Sequence, residues 1–66
     1  MEITVEIVGE GEQVVTVPED ADYAAVVRET GYSPHEVTVL VDGSPVPEDA
    51  PVAVDSVRIL RLIAGG

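Results

Sequence analysis

The stretch "EITVEIVG", residues 2–9, alternates apolar and polar side chains, placing Ile3, Val5 and Ile7 on one side of an extended chain and Glu2, Thr4 and Glu6 on the other. This is the period of a half-buried strand. "GEGE" at 9–12 breaks it with turn residues, and "QVVTVP" resumes it with Val15 and Val17 as the inward pair until Pro18 removes a ladder donor. The two segments predict a hairpin. Over "PEDADYAAVVRETG", 18–31, the spacing lengthens: Tyr23, Val26, Val27 and Thr30 recur at three and four residues, which is one face of a helix. Asp20 or Asp22 can cap its start, and Gly31 suits a left-handed stop. The acidic group Glu19, Asp20 and Asp22 complements the positive end of the helix dipole, and we read it as capping and solvation rather than as a metal site.

"YSPHE", 32–36, carries Ser33 and Glu36 at capping-box spacing with Pro34 at the first helical position, which predicts a single helical turn. "EVTVLVDG", 36–43, is a third strand with Val37, Val39 and Val41 inward and Thr38, Leu40 and Asp42 outward. "DGSP" turns the chain, and the proline- and acid-rich segment 46–56 reads as a loop with one short edge strand near 52–54. The last strand, "SVRILRLI", puts Val57 and Ile59 inward and Arg58, Leu60 and Leu62 outward. In that frame Leu40 and Leu60 share the outer sheet face and make an apolar spot ringed by Arg58, Arg61 and acids, a candidate partner surface; the blander account is two unrelated surface leucines.

This order of elements is an α+β domain with one main helix packed on a mixed sheet of four to five strands. A helix between the hairpin and the later strands is long enough for the right-handed crossover that lays the last strand parallel beside the first. That topology is the β-grasp.

Composition narrows what such a domain can do. A chain of 66 residues is one domain and buries only about 60% of the surface its unfolded form exposes. With no cysteine and one histidine, it excludes disulfides, iron–sulfur clusters and thiolate zinc sites, and no metal or bound cofactor is expected. His35 has no second imidazole, thiolate or nucleophile motif to pair with, so it reads as a loop residue and no catalytic residue is assigned. Thirteen Asp and Glu stand against three Arg and no Lys, for a net charge of −10. Such a surface repels phosphates and anionic lipid, which argues against direct nucleic-acid or membrane binding and for basic partners. Because 45% of residues are apolar and fall in strand-like runs, the acid excess does not mean disorder. We read it as fitted to a cytoplasm with very high salt, and hence to a halophilic source. The first residues lack the basic start and apolar run of a signal peptide, and no segment approaches the roughly 20 apolar residues of a spanning helix, so a cytoplasmic monomer is expected.

The element order, the segment "VLVDGSPVPEDAPV" at 39–52 and the end "RLIAGG" at 61–66 together resemble the ubiquitin-like β-grasp proteins of archaea, the small archaeal modifier proteins of haloarchaea in particular. The resemblance covers essentially the whole chain, including Tyr23 and Ala24, "SPHEVTVLVDG" at 33–43 and "LRLI" at 60–63. The chain is also similar to the sulfur carriers of thiamine and molybdopterin synthesis, which share the fold and the terminal glycine pair. The resemblance implies a β-grasp domain over 1–61 and a flexible tail over 62–66, and a protein that is not an enzyme but the substrate of one.

In such proteins the working group is the terminal carboxylate, here that of Gly66. A carboxylate with a pKa of roughly 3.5 is ionised at pH 7 and a poor electrophile, so it must first be activated. The resemblance implies a ubiquitin-activating-type enzyme that transfers AMP from MgATP to Gly66, followed by one of two fates. One is an isopeptide bond to lysines of target proteins. The other is a thiocarboxylate that donates sulfur for tRNA thiolation or molybdopterin synthesis, with sulfur-transfer enzymes as partners. A third reading is a non-covalent β-grasp interaction domain. Gly65 and Gly66 suit a tail threaded into a narrow site, where side chains would clash and unusual backbone angles are needed. Leu62, Ile63 and Ala64 are then the stem read by the activating enzyme, and a chain ending on the glycine pair is expected to need no trimming. One feature departs from the pattern of related modifiers: Arg58 and Arg61 stand on the last strand and no lysine occurs anywhere. Guanidinium stays protonated and is no amine nucleophile, so branched chains of this protein on itself are not expected.

Overall fold

The structure, a computed structural model, describes residues 1–62. Strands β1 (Glu2–Ile7) and β2 (Gly11–Thr16) form the antiparallel hairpin, in register from Glu2 opposite Thr16 to Ile7 opposite Gly11. Helix α1 (Tyr23–Glu29) follows, then a 3₁₀ turn (Pro34–Glu36) and strands β3 (Val37–Val41), β4 (Ser44–Val46) and β5 (Ser56–Arg61). The sheet order is β2-β1-β5-β3-β4, with β1 and β5 parallel and the other pairs antiparallel. This is the predicted β-grasp arrangement, in which the last strand lies between the first and the third.

The alternating pattern of β1 puts Ile3, Val5 and Ile7 into the core, where they meet Val57 and Ile59 of β5 and Val37 and Val39 of β3. Tyr23, Ala24, Val26 and Val27 bring the apolar stripe of α1 onto this face. Ile3, Val5, Val26, Val27 and Ile59 are the largest side chains sealed from solvent, and no polar side chain among the described residues is buried with them. Of the two candidate caps, Asp22 is the one used: its Oδ1 accepts from the Ala25 N–H at 2.9 Å. Glu19 and Asp20 lie before the helix. Thr30 is the C-cap, and Gly31 takes φ 92, the left-handed conformation expected of it. Ser33 opens the 3₁₀ turn by accepting the His35 N–H at 3.2 Å.

The short edge strand does not lie near 52–54. It lies at Ser44–Val46, directly after the turn, where Val41 faces Ser44 and Val39 faces Val46. Asp42 (φ 53) and Gly43 (φ 80) are both left-handed, the geometry of a two-residue hairpin turn whose twist matches the flanking strands. Pro45 weakens the strand signal in the sequence. Opposite Leu40 it occupies the non-hydrogen-bonded position of the ladder, on an edge strand where a missing N–H costs nothing. Val52 and Val54 are half-buried against the core, so their alternation reflects burial. Their segment has no ladder: it is tied down by a single bridge between Asp22 and Pro51, a bond from Val52 N–H to the Ala21 carbonyl at 3.0 Å and one from Ala53 N–H to the Tyr23 hydroxyl at 3.4 Å.

Candidate functional site

The helix covers one side of the sheet, and the other side is open. On that outer face β5 presents Arg58 and Leu60 while Val57 and Ile59 are buried, the parity expected from the alternation. The register sets Arg58 between Glu6 of β1 and Leu40 of β3, and Leu60 opposite Thr38. Leu40 and Leu60 are therefore diagonal neighbours, a separation long side chains still bridge. Leu60 is 42% exposed, and Leu40 is half-buried. Arg58 Nε donates to Glu6 Oε1 at 3.1 Å, an exposed pair that aligns the guanidinium along the sheet surface. Beside it lies a shallow hollow of about 380 Å³ walled by Glu6, Leu40, Asp42, Ser56 and Arg58. One apolar wall, one cation and two carboxylates give this hollow a mixed lining.

Arg61 does not join that ring. It pairs with the buried Val37 and so shares the parity of Val57 and Ile59, on the helix side of the sheet. There its guanidinium lies 5.2 Å from the centre of the Tyr32 ring and its Nη1 donates to Glu10 Oε2 at 3.2 Å. The Tyr32 hydroxyl donates to the same Glu10 oxygen. That bond to a carboxylate, helped by partial desolvation and opposed by Arg61, raises the Tyr32 pKa above its ordinary value. No local pattern in the sequence signals this trio, since Tyr32 and Arg61 stand 22 and 51 residues from Glu10. Strand parity alone carried a signal, because it assigns Arg61 to the side of Ile59.

Leu62 follows β5, and its N–H donates to the Glu36 carbonyl at 2.7 Å while its side chain remains 55% exposed. Ile63, Ala64, Gly65 and Gly66, the rest of the predicted stem and the reactive tip, lie outside the described residues. Among the described residues no helix is long and apolar enough to cross a membrane, and no group of three or more metal-ligating side chains comes together.

The profile of the small archaeal modifier protein 2 family matches residues 1–63. The chain belongs to that family. Small archaeal modifier protein 2 of Haloferax volcanii is 61% identical over 66 residues, covering the whole of both chains. The crystal structure of that H. volcanii protein superposes with a TM-score of 0.76 at 59% identity, covering 97% of each chain. Membership places the chain among ubiquitin-like modifiers, proteins that are attached to others rather than enzymes in their own right.

Proposed function

We propose that this small archaeal modifier protein is activated at the carboxylate of Gly66 and joined through it to lysines of target proteins. The observation that carries the reading is the match to H. volcanii small archaeal modifier protein 2 over the whole of both chains, with "AGG" at residues 64–66. The chemistry balances without a cofactor held by this chain. The Gly66 carboxylate attacks the α-phosphate of MgATP on a ubiquitin-activating-type enzyme, pyrophosphate leaves, and an acyl adenylate forms. Nucleophilic attack on that carbonyl, directly by a lysine amine or first by a thiol, expels AMP; the final product is an isopeptide bond.

Gly65 and Gly66 let the backbone approach the nucleotide closely, while Leu62, Ile63 and Ala64 are the stem the enzyme reads. Leu40 and Leu60, flanked by Arg58, form the docking spot for the activating enzyme on the outer face. Replacing Leu40 by Asp puts a carboxylate into that spot, and we expect the half-saturating concentration for adenylation to rise about tenfold. An unchanged value removes the outer face from the reading. The site of action is the cytoplasm, where ATP and target lysines are available.

Deleting Gly65 and Gly66 from a tagged chain expressed in its source cells tests the whole reading. The expected result is loss of every higher-mass adduct seen with the full chain. Adducts that persist after the deletion would show that attachment does not run through Gly66. A full chain that forms no adducts, but gains one sulfur in place of one oxygen at Gly66, would instead show a sulfur carrier.

A further inference from the structure

Strand β5 loses one of its two neighbours before it ends. Its ladder with β1 stops at Ile7 opposite Ile59, closed by a bond from Val8 N–H to the Ile59 carbonyl at 3.0 Å, and β1 then turns away through Gly9 and Glu10. From Leu60 onward the backbone is held on the β3 side alone, by Val37 opposite Arg61 and by the Leu62 N–H bond to Glu36 at 2.7 Å. On the side left open, Glu10 reaches from the β1–β2 turn to Arg61, whose guanidinium lies over Tyr32 from the loop after α1. One carboxylate oxygen of Glu10 accepts from both Arg61 and the Tyr32 hydroxyl, so the three side chains act as a unit.

We infer that Glu10, Tyr32 and Arg61 form an exit clamp: side chains from two loops replace the backbone pairing that β1 no longer supplies, and fix where the tail leaves the domain. They are positioning residues. The inference rests on the proposed role of Gly66, because a fixed exit matters for a tail that must be delivered into another protein's site. Holding the end of β5 in place before the encounter lowers the ordering cost of delivering the tail, and it should show in binding rather than in the chemical step. The clamp also has a direct consequence for the bond it brackets. A trypsin-like protease needs a free arginine side chain on an extended, unpaired backbone; Arg61 has its guanidinium engaged and Leu62 has its N–H bonded to Glu36.

The three arginines of the chain supply an internal control, since Arg28 is in α1, Arg58 is inside β5 and Arg61 is at its end. Native full-length chain is digested with trypsin and the cleavage rate at each arginine followed by mass spectrometry, for wild type, Glu10→Gln, Tyr32→Phe and Tyr32→Ala. In Glu10→Gln and Tyr32→Ala, cleavage after Arg61 is expected to rise about tenfold with no change after Arg28 and Arg58, the signature of local rather than global opening. Tyr32→Phe keeps the ring under the guanidinium and should give an intermediate rate. Rates at Arg61 within twofold of wild type, or a parallel rise at all three arginines, overturn the clamp.

A second arm uses a ubiquitin-activating-type enzyme with MgATP and compares kinetics of adenylation. The expected split is a KM raised about fivefold at constant kcat in Glu10→Gln and Tyr32→Ala. A fall in kcat alone, or no change, overturns the role in delivery. Wild type that is not adenylated at all would refute the role of Gly66, while the proteolysis arm would still decide whether the clamp exists.

Discussion

At the scale of single residues, hydrogen bonds made by two side chains, Asp22 and Tyr32, hold local geometry. Asp22 accepts the Ala25 N–H and so satisfies one of the unpaired donors at the start of α1. Asp22→Ala should lower stability by about 1 kcal/mol in chemical denaturation, with the cooperativity of the transition unchanged. The position of the cap was legible only to within two candidates, because Asp20 and Asp22 offer the same chemistry and the choice depends on where the backbone leaves the Pro18–Ala21 turn. Tyr32 makes a prediction about pH. Its pKa is raised by the bond to Glu10, so the protonated phenol is favoured in the folded state. The stabilisation from this bond is fully present below the ordinary tyrosine pKa of about 10 and is lost as the pH rises through the higher folded value. Ultraviolet titration, with Tyr32→Phe used to assign the transition, should show Tyr32 ionising at lower pH in Glu10→Gln than in wild type. Identical titration in the two proteins would mean the bond does not form in solution.

At the scale of elements, β5 organises the fold because it has neighbours on both sides and the helix beneath it. Ile59 is sealed from solvent and Leu60, the next residue, is 42% exposed. Ile59→Ala should therefore cost about 2–5 kcal/mol, with Leu60→Ala falling well short of that in the same unfolding measurement. Two equal losses would contradict the orientation of the strand. That orientation was readable in the sequence, as were β1 and β3, because alternation with a period of two has a single solution when one face is buried. The 3₁₀ turn was readable for a different reason: Ser33 and Pro34 form a local start signal that needs no distant partner. Strand β4 was not readable. It has three residues, contains a proline and is defined by its pairing with β3, while the more regular Val52–Val54 alternation belongs to a segment that packs without a ladder. Grouping Arg61 with Arg58 by charge went against parity, and parity was the physical rule that held. The Glu10–Tyr32–Arg61 contacts depend on three chain segments converging, which no local pattern encodes.

At the scale of the whole molecule, a net charge of −10 sits on a body with a radius of gyration of 10.9 Å. Two of the three arginines make ion pairs within the described residues, Arg58 with Glu6 and Arg61 with Glu10, and these engage only two of the thirteen carboxylates. Repulsion among the remaining carboxylates should dominate the dependence on salt. The Debye length falls from about 10 Å at 0.1 M salt to about 3 Å at 1 M, so the melting temperature should rise over that range. For a domain of this size the rise is about 4–8 °C for each kcal/mol of repulsion screened. A flat or falling Tm would contradict the high-salt reading of the composition.

The missing lysine also acts at this scale, because a modifier without side-chain amines can be donated but cannot be branched upon. The most direct test of conjugation through Gly66 follows from the same sequence. Trypsin cutting after Arg61 leaves "LIAGG" on any lysine joined to Gly66, a remnant long enough to identify its origin by mass spectrometry of a cell digest. This remnant is expected on lysines of other proteins, attached through Gly66. Digests in which the Gly66 terminus is found only free or with sulfur in place of oxygen, and never on lysine, would contradict it.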